Sequence, residues 1–197
     1  MNSSTRSADA SRKTNETDIQ CRIEIGGEQR SQIATGLGFL DHMLDALAKH
    51  SQLSIDLTCD GDVHVDDHHT VEDCAIVLGK TLSTALNDRS GIRRFGHAYA
   101  PLDEALARAV IDFSGRPHAS IELGLCREKI GDVASENLTH FFQTFAFNAN
   151  CSLHVDVLKG ANDHHRAEAA FKATALAIRS AIEIVGDGIA STKGSLT

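Results

Sequence analysis

Two copies of one pattern constrain this 197-residue chain more than any other feature. Asp67-His68-His69-Thr70-Val71-Glu72 recurs as Asp163-His164-His165-Arg166-Ala167-Glu168, and each copy follows a lone histidine, His42 or His140, at nearly the same spacing. A histidine pair with a carboxylate one turn later is a face that a helix can offer to a divalent cation. Neighbouring helical positions diverge by roughly 100°, so His68 and His69 do not converge on one ion, nor do His164 and His165. The pattern therefore predicts two metals, each taking one histidine of a pair, with a glutamate and a lone histidine closing the shell. The candidate ligands are His42, His68, His69, Glu72, His140, His164, His165 and Glu168. Asp67 and Asp163 stand where helix N-caps are expected, but Glu72 and Glu168 come five residues later, so a capping box does not account for them. A calcium loop starting at Asp60 fails because Val65 and Val71 replace its glycine and closing glutamate.

The repeat extends into the scaffold. Leu40, Leu44 and Leu47 around His42 match Leu138, Phe142 and Phe145 around His140, the apolar stripe of an amphipathic helix in each copy. Alternating strand-like runs follow, Ser54–Leu57 and Ser152–Val157, and then the two His-His helices. Upstream, 18–25 with 29–34, and 109–113 with 119–125, suggest one hairpin per half. The expected fold is α/β (α+β): a duplicated strand, strand, helix, strand, helix unit, with helices packed between two β-sheets about a pseudo-twofold axis. Residues 1–11 are expected to be a disordered tail, 12–89 and 90–190 the two half-domains, and 191–197 a C-terminal tail.

Apolar content of 42%, charged content of 23% and no long apolar run indicate a soluble globular protein without a membrane role. A net charge of −8 argues against a nucleic-acid partner. Five scattered cysteines, odd in number and without a Cys-x-x-Cys, fit a reduced cytoplasmic setting.

Several strings together carry a family resemblance: Phe39-Leu40-Asp41-His42-Met43-Leu44, the two His-His motifs, Pro101-Leu102-Asp103-Glu104-Ala105, Arg12-Lys13-Thr14-Asn15-Glu16-Thr17 and Ser191-Thr192-Lys193-Gly194. From about Arg12 to its end the chain resembles imidazoleglycerol-phosphate dehydratase of histidine biosynthesis. The resemblance implies a ribosomal protein S5 domain 2-like half-domain, two Mn2+ ions per site, and a homo-oligomer of twenty-four subunits with sites shared between neighbours. It implies that the eight repeat residues are the metal shell, that Glu16 reaches a neighbouring subunit's site, and that Arg94, Arg116, Ser191 and Lys193 hold the substrate phosphate, the last two from a C-terminal substrate-binding tail over residues 191–197. His42 also falls among the substrate contacts. Ala46 departs from the family pattern, where glutamine is common.

The implied reaction removes water from a phosphorylated imidazole substrate whose reacting C–H has no adjacent carbonyl. A cation on the ring stabilises its deprotonated form, which lets the ring expel the hydroxyl on the attached carbon. A carboxylate then takes the neighbouring proton, for which Glu16 and Glu168 are the candidates, with the order of their use left open. Nitrogen-rich shells favour zinc, nickel or copper over manganese, so Mn2+ is implied by the resemblance and by cellular availability. The competing expectations are a dinuclear hydrolase, disfavoured by the lack of bridging aspartates, and a metal-bound scaffold, which would leave Glu16 and the basic residues without a role.

Overall fold

The computed structural model describes residues 5–194 and Leu196. Its first half runs β1 (Arg6–Lys13), β2 (Thr17–Ile25), β3 (Gln32–Ala34), α1 (Gly38–Ser51), β4 (Leu53–Gly61) and α2 (His68–Leu86). The second runs β5 (Phe95–Leu102), β6 (Ala105–Asp112), β7 (His118–Glu122), a small hairpin of β8 (Lys129–Ile130) and β9 (Val133–Ala134), α3 (Ser135–Asn148), β10 (Ser152–Lys159) and α4 (Asp163–Ala181). The two four-stranded sheets, β1-β2-β4-β3 and β5-β6-β10-β7, have the same topology. In each, the short third strand lies parallel to the last one and the other pairs are antiparallel.

Each half thus contains the expected strand, strand, helix, strand, helix order, with one more strand ahead of it. The tail expected over residues 1–11 is replaced from Arg6 onward by β1, paired with β2 along its whole length. Its polar composition hid it. On an edge strand most side chains face solvent, and of this one only Ala8 is buried. The expected hairpins are also corrected. Residues 18–25 and 32–34 do form strands, but β4 lies between them, as β10 does between β6 and β7. A helix follows each third strand, and a parallel crossover of that length inserts the returning strand instead of closing a hairpin.

The helices fill the space between the sheets, α2 against α3 and α1 against α4. The stripes of Leu40, Leu44 and Leu47 and of Leu138, Phe142 and Phe145 are buried. Phe142 packs on Phe171 of α4 with ring centroids 4.5 Å apart, and each fully buried large apolar side chain contributes about 1.5–3 kcal/mol. Where α2 crosses α3, Gly79 lies so close that a β-carbon there would come within 2.8 Å of the Phe145 carbonyl oxygen and 2.9 Å of the Ala149 amide nitrogen. This crossing pattern joins the halves. Each lone-histidine helix lies against the His-His helix of the other half, so α1 brings His42 to α4 and α3 brings His140 to α2.

Candidate metal centre and phosphate cleft

Both His-His helices begin at the site, and their first turns are set differently from the expected caps. The Asp66 carboxylate accepts the His68 amide (2.9 Å), and Asn162 caps α4 by accepting the His164 amide (2.9 Å). Asp67 and Asp163, both buried, turn away to bind other backbone. Asp67 accepts from the Ala134 amide (2.8 Å) and the Asn137 side chain (2.9 Å), and Asp163 accepts from the Cys126 and Arg127 amides (2.8 and 2.7 Å). Asp132, in the β8–β9 turn, reciprocates by accepting from Gly38 and Phe39 at the start of α1 (2.6 and 3.0 Å). The starts of α1, α2 and α3 are therefore tied to the opposite half, and that of α4 to its own.

Two groups of three donors result. His42, His164 and Glu168 form one, and His68, Glu72 and His140 the other, with the donor atoms of each within 4.8 Å of one another. Glu168 lies 3.3 Å from His42 Nε2 and 3.2 Å from His164 Nε2. Glu72 lies 3.0 Å from His140 Nε2 and 4.0 Å from His68 Nε2. Ligand atoms about 2.1 Å from one ion stand about 3–3.5 Å apart, so both groups fit a divalent cation with little movement. Around His68 the orientation is enforced. Its Nδ1 lies 3.1 Å from Asn137 Oδ1, and the Asn137 amide donates to Asp67, leaving Nε2 to face Glu72 and His140. At the corresponding place in the other group Phe39 lies edge-on to His164, with centroids 5.2 Å apart.

His69 and His165, expected as ligands, join neither group within the chain. Nδ1 of His69 lies 3.0 Å from Asp62, and Nδ1 of His165 lies 2.7 Å from Glu104. Both imidazoles have their pKa raised, chiefly by these hydrogen bonds. Glu16 lies beside His69, 3.8 Å from its Nε2, and its carboxylate accepts no hydrogen bond among the described residues.

Lys172, one helical turn beyond Glu168, pairs with it at 2.7 Å. Burial raises the pKa of this carboxyl, but Lys172 and then His42 outweigh it and hold the group below the ordinary glutamate range. Glu168, His42, Lys172 and the departing Ala46 line one cleft of about 520 Å3. Sequence reasoning passed over Lys172, although Glu168 and Lys172 stand at the i,i+4 spacing of a helical ion pair. It also passed over Asn137, which no motif marks, and met Asp62 only within the Asp60-Gly61-Asp62 run that fails as a calcium loop.

All four expected phosphate residues, Arg94, Arg116, Ser191 and Lys193, line a second cleft of about 520 Å3. They are not equally available. Arg94 binds Asp112 through two nitrogens (2.7 and 3.0 Å) and donates to the Ala190 carbonyl (2.7 Å), which ties the tail to β5. Arg116 and Lys193 are exposed and make no side-chain hydrogen bond or ion pair among the described residues. Arg93 is occupied by Glu183 at the surface. Of the cysteines, Cys21 and Cys151 are buried and their thiols are pushed up to about 12, mainly by burial, so neither is a nucleophile at neutral pH. Among the described residues, no helix is long and apolar enough to cross a membrane.

Known proteins similar in sequence and in fold share one description. The family described as imidazoleglycerol-phosphate dehydratase matches residues 35–178. The chain is 52% identical to the imidazoleglycerol-phosphate dehydratase of Candida glabrata, over 94% of this chain and 97% of that one. It is 53% identical to that of Phytophthora nicotianae over 98% of its own length, while spanning 43% of that longer protein. The crystal structure of imidazoleglycerol-phosphate dehydratase from Staphylococcus aureus subsp. aureus N315 superposes with a TM-score of 0.82 at 37% identity, covering 91% of this chain and 99% of that one. The Pyrococcus furiosus structure, a complex with (S)-C348, also gives 0.82, at 34% identity with 95% and 100% covered. By sequence and by fold, the chain belongs to the imidazoleglycerol-phosphate dehydratase family.

Proposed function

We propose that this chain carries out its family's reaction, a hydro-lyase step of histidine biosynthesis that converts D-erythro-imidazoleglycerol phosphate to imidazoleacetol phosphate, at two-metal sites completed by neighbouring copies. The observation that carries the proposal is the pair of three-donor groups, each built from both halves of the repeat, with a matching histidine of each pair left outside them. Three donors leave coordination positions open, and His69 and His165 are the remaining members of the duplicated set. In an assembly, these two would enter the shells of adjacent chains, with His42, His68, Glu72, His140, His164 and Glu168 providing the rest.

A divalent ion held by these residues, Mn2+ by family resemblance, would supply Lewis acidity to the substrate. The chain's own groups then divide the work. Glu168, paired with Lys172 and held as a carboxylate, is suited to ligation more than to carrying a proton. Glu16, whose exposed carboxylate accepts no hydrogen bond among the described residues, is suited to take the proton from carbon. It would travel with His69 into the neighbouring site. Arg116, Lys193 and Ser191 would hold the phosphate, with Arg94 keeping the tail in place through Asp112 and Ala190. The cleft with these residues shares no lining residue with the clefts holding His42 and His165, as expected if a complete site draws on more than one chain. The twenty-four-subunit homo-oligomer of the resemblance would provide those neighbours, and the cytoplasm the setting.

The test is ketone formation from imidazoleglycerol phosphate by purified protein, after chelation and again after adding Mn2+. Product that depends on the metal supports the proposal. Its absence, or product unaffected by chelation, contradicts it.

A further inference from the structure

His69 and His165, outside the three-donor groups, are held by carboxylates that stand outside the ligand set. Asp62 approaches His69 Nδ1 with both oxygens, at 3.2 and 3.0 Å. Glu104 approaches His165 Nδ1 with Oε2 at 2.7 Å, while its Oε1 accepts from the Ala161 and Asn162 amides at 3.0 and 2.9 Å. Those three bonds, the one to His165 foremost, pull the Glu104 carboxyl down to about 2.

The two carboxylates are not copies of each other. Asp62 directly follows β4, whereas Glu104 directly precedes β6. The repeat counterpart of Glu104 is Glu16, which directly precedes β2. Each half has thus reached the same imidazole–carboxylate contact from a different position, and duplication alone does not explain the match. An acceptor at Nδ1 fixes the proton there and leaves the Nε2 lone pair free, which is the form a metal requires.

We propose that Asp62 and Glu104 are positioning residues that set the tautomer and aim of His69 and His165, so that each chain offers a preformed Nε2 donor to a neighbour's metal. Glu104 and Glu16, equivalent in the repeat, have accordingly diverged. One is locked into ligand support by three hydrogen bonds, and the other is left open beside the histidine it accompanies. This rests on the two-metal function proposed above.

The bonding at each carboxylate makes a sharp test possible. In Glu104→Gln the two backbone amides retain the amide oxygen, so the NH2 must face His165 Nδ1. That donor forces the proton onto Nε2 and blocks the metal. In Asp62→Asn no backbone donor fixes the side chain, so the amide can rotate its oxygen toward His69 Nδ1 and preserve the tautomer. Asp62→Ala removes the acceptor without disturbing a backbone amide. Metal titration of the full chain with Mn2+, the visible spectrum of the Co2+ form and sedimentation velocity are the readouts. Glu104→Gln and Asp62→Ala should each weaken one class of site about 10- to 100-fold and change the Co2+ spectrum, leaving the other class intact. Asp62→Asn should stay near wild type. Wild-type affinity and spectrum in Glu104→Gln or in Asp62→Ala would overturn the inference, as would equal losses in Asp62→Asn and Asp62→Ala. Failure of the wild-type chain to bind metal at all would instead refute the two-metal function.

Discussion

Gly79→Ala should destabilise the chain and damage one metal group while sparing the other. In an exposed helix interior the substitution stabilises by about 0.8–1 kcal/mol through helix propensity. Gly79 sits instead at the crossing of α2 and α3, where the new methyl would meet the Phe145 carbonyl oxygen at 2.8 Å, the Ala149 nitrogen at 2.9 Å and Asn148 Cβ at 2.9 Å. Two of these atoms are backbone and cannot rotate away. The helices must separate by several tenths of an ångström, and overpacking of that kind costs about 1–3 kcal/mol. The net expectation is a loss of up to about 2 kcal/mol, or a Tm lowered by several degrees at roughly 2–4 °C per kcal/mol for a chain of this size. The same separation draws His140 on α3 from Glu72 on α2, now 3.0 Å apart. His42, His164 and Glu168 lie on α1 and α4 and should keep their arrangement. Thermal unfolding of the apo-protein with Mn2+ titration of the variant checks both parts. A variant stabilised by about 1 kcal/mol with both classes of site intact would refute the packing argument.

Other substitutions separate the roles of the site residues. Glu16→Gln should keep metal content and assembly while cutting turnover strongly, whereas Glu72→Gln should lose metal from its group; like behaviour in metal analysis and steady-state kinetics would erase the distinction between proton carrier and ligand. Lys193→Ala or Arg116→Ala should raise KM about tenfold or more, equivalent to roughly 1.4 kcal/mol, with metal content unchanged. Lys172→Met should destabilise the apo-protein by about 1–2 kcal/mol, because Glu168 loses a partly buried partner, and by less once a metal supplies the positive charge; an equal loss of Tm with and without Mn2+ would contradict the pairing in metal-free protein as its cause.

The chemistry of the site was more legible in the sequence than its wiring. The duplicated His-His-x-x-Glu pattern shows in any single sequence, because one helical turn dictates which side chains share a face, and that local rule survives folding. Which lone histidine serves which pair depends on helix crossing, and His42 meets His164 and Glu168 in the other half for reasons of packing alone. Strand β1 was hidden because edge strands need no apolar alternation, and its residues Arg6 to Lys13 look like a polar tail. The hairpin expectation failed since local turn signals such as Gly26-Gly27 cannot reveal that β4 inserts between β2 and β3. Asp67 and Asp163 carry the composition of caps, but burial beside free backbone amides of another segment gives them better partners, and Asp66 and Asn162 take over the capping. Arg94 is expected to grip phosphate, yet in the fold Asp112 already holds two of its nitrogens, a pairing that no local sequence signal marks.

The central claim, that metal sites are completed between chains, is tested most directly by complementation. A His42→Ala/His140→Ala variant breaks both three-donor groups but keeps His69 and His165. A His69→Ala/His165→Ala variant does the reverse. Each alone should be inactive. Mixed after chelation and reassembled with Mn2+, they should recover ketone formation, because the intact groups of one chain can receive His69 and His165 of the other. Mixed particles, verified by differential tagging, that remain as inactive as the separate variants would contradict the account.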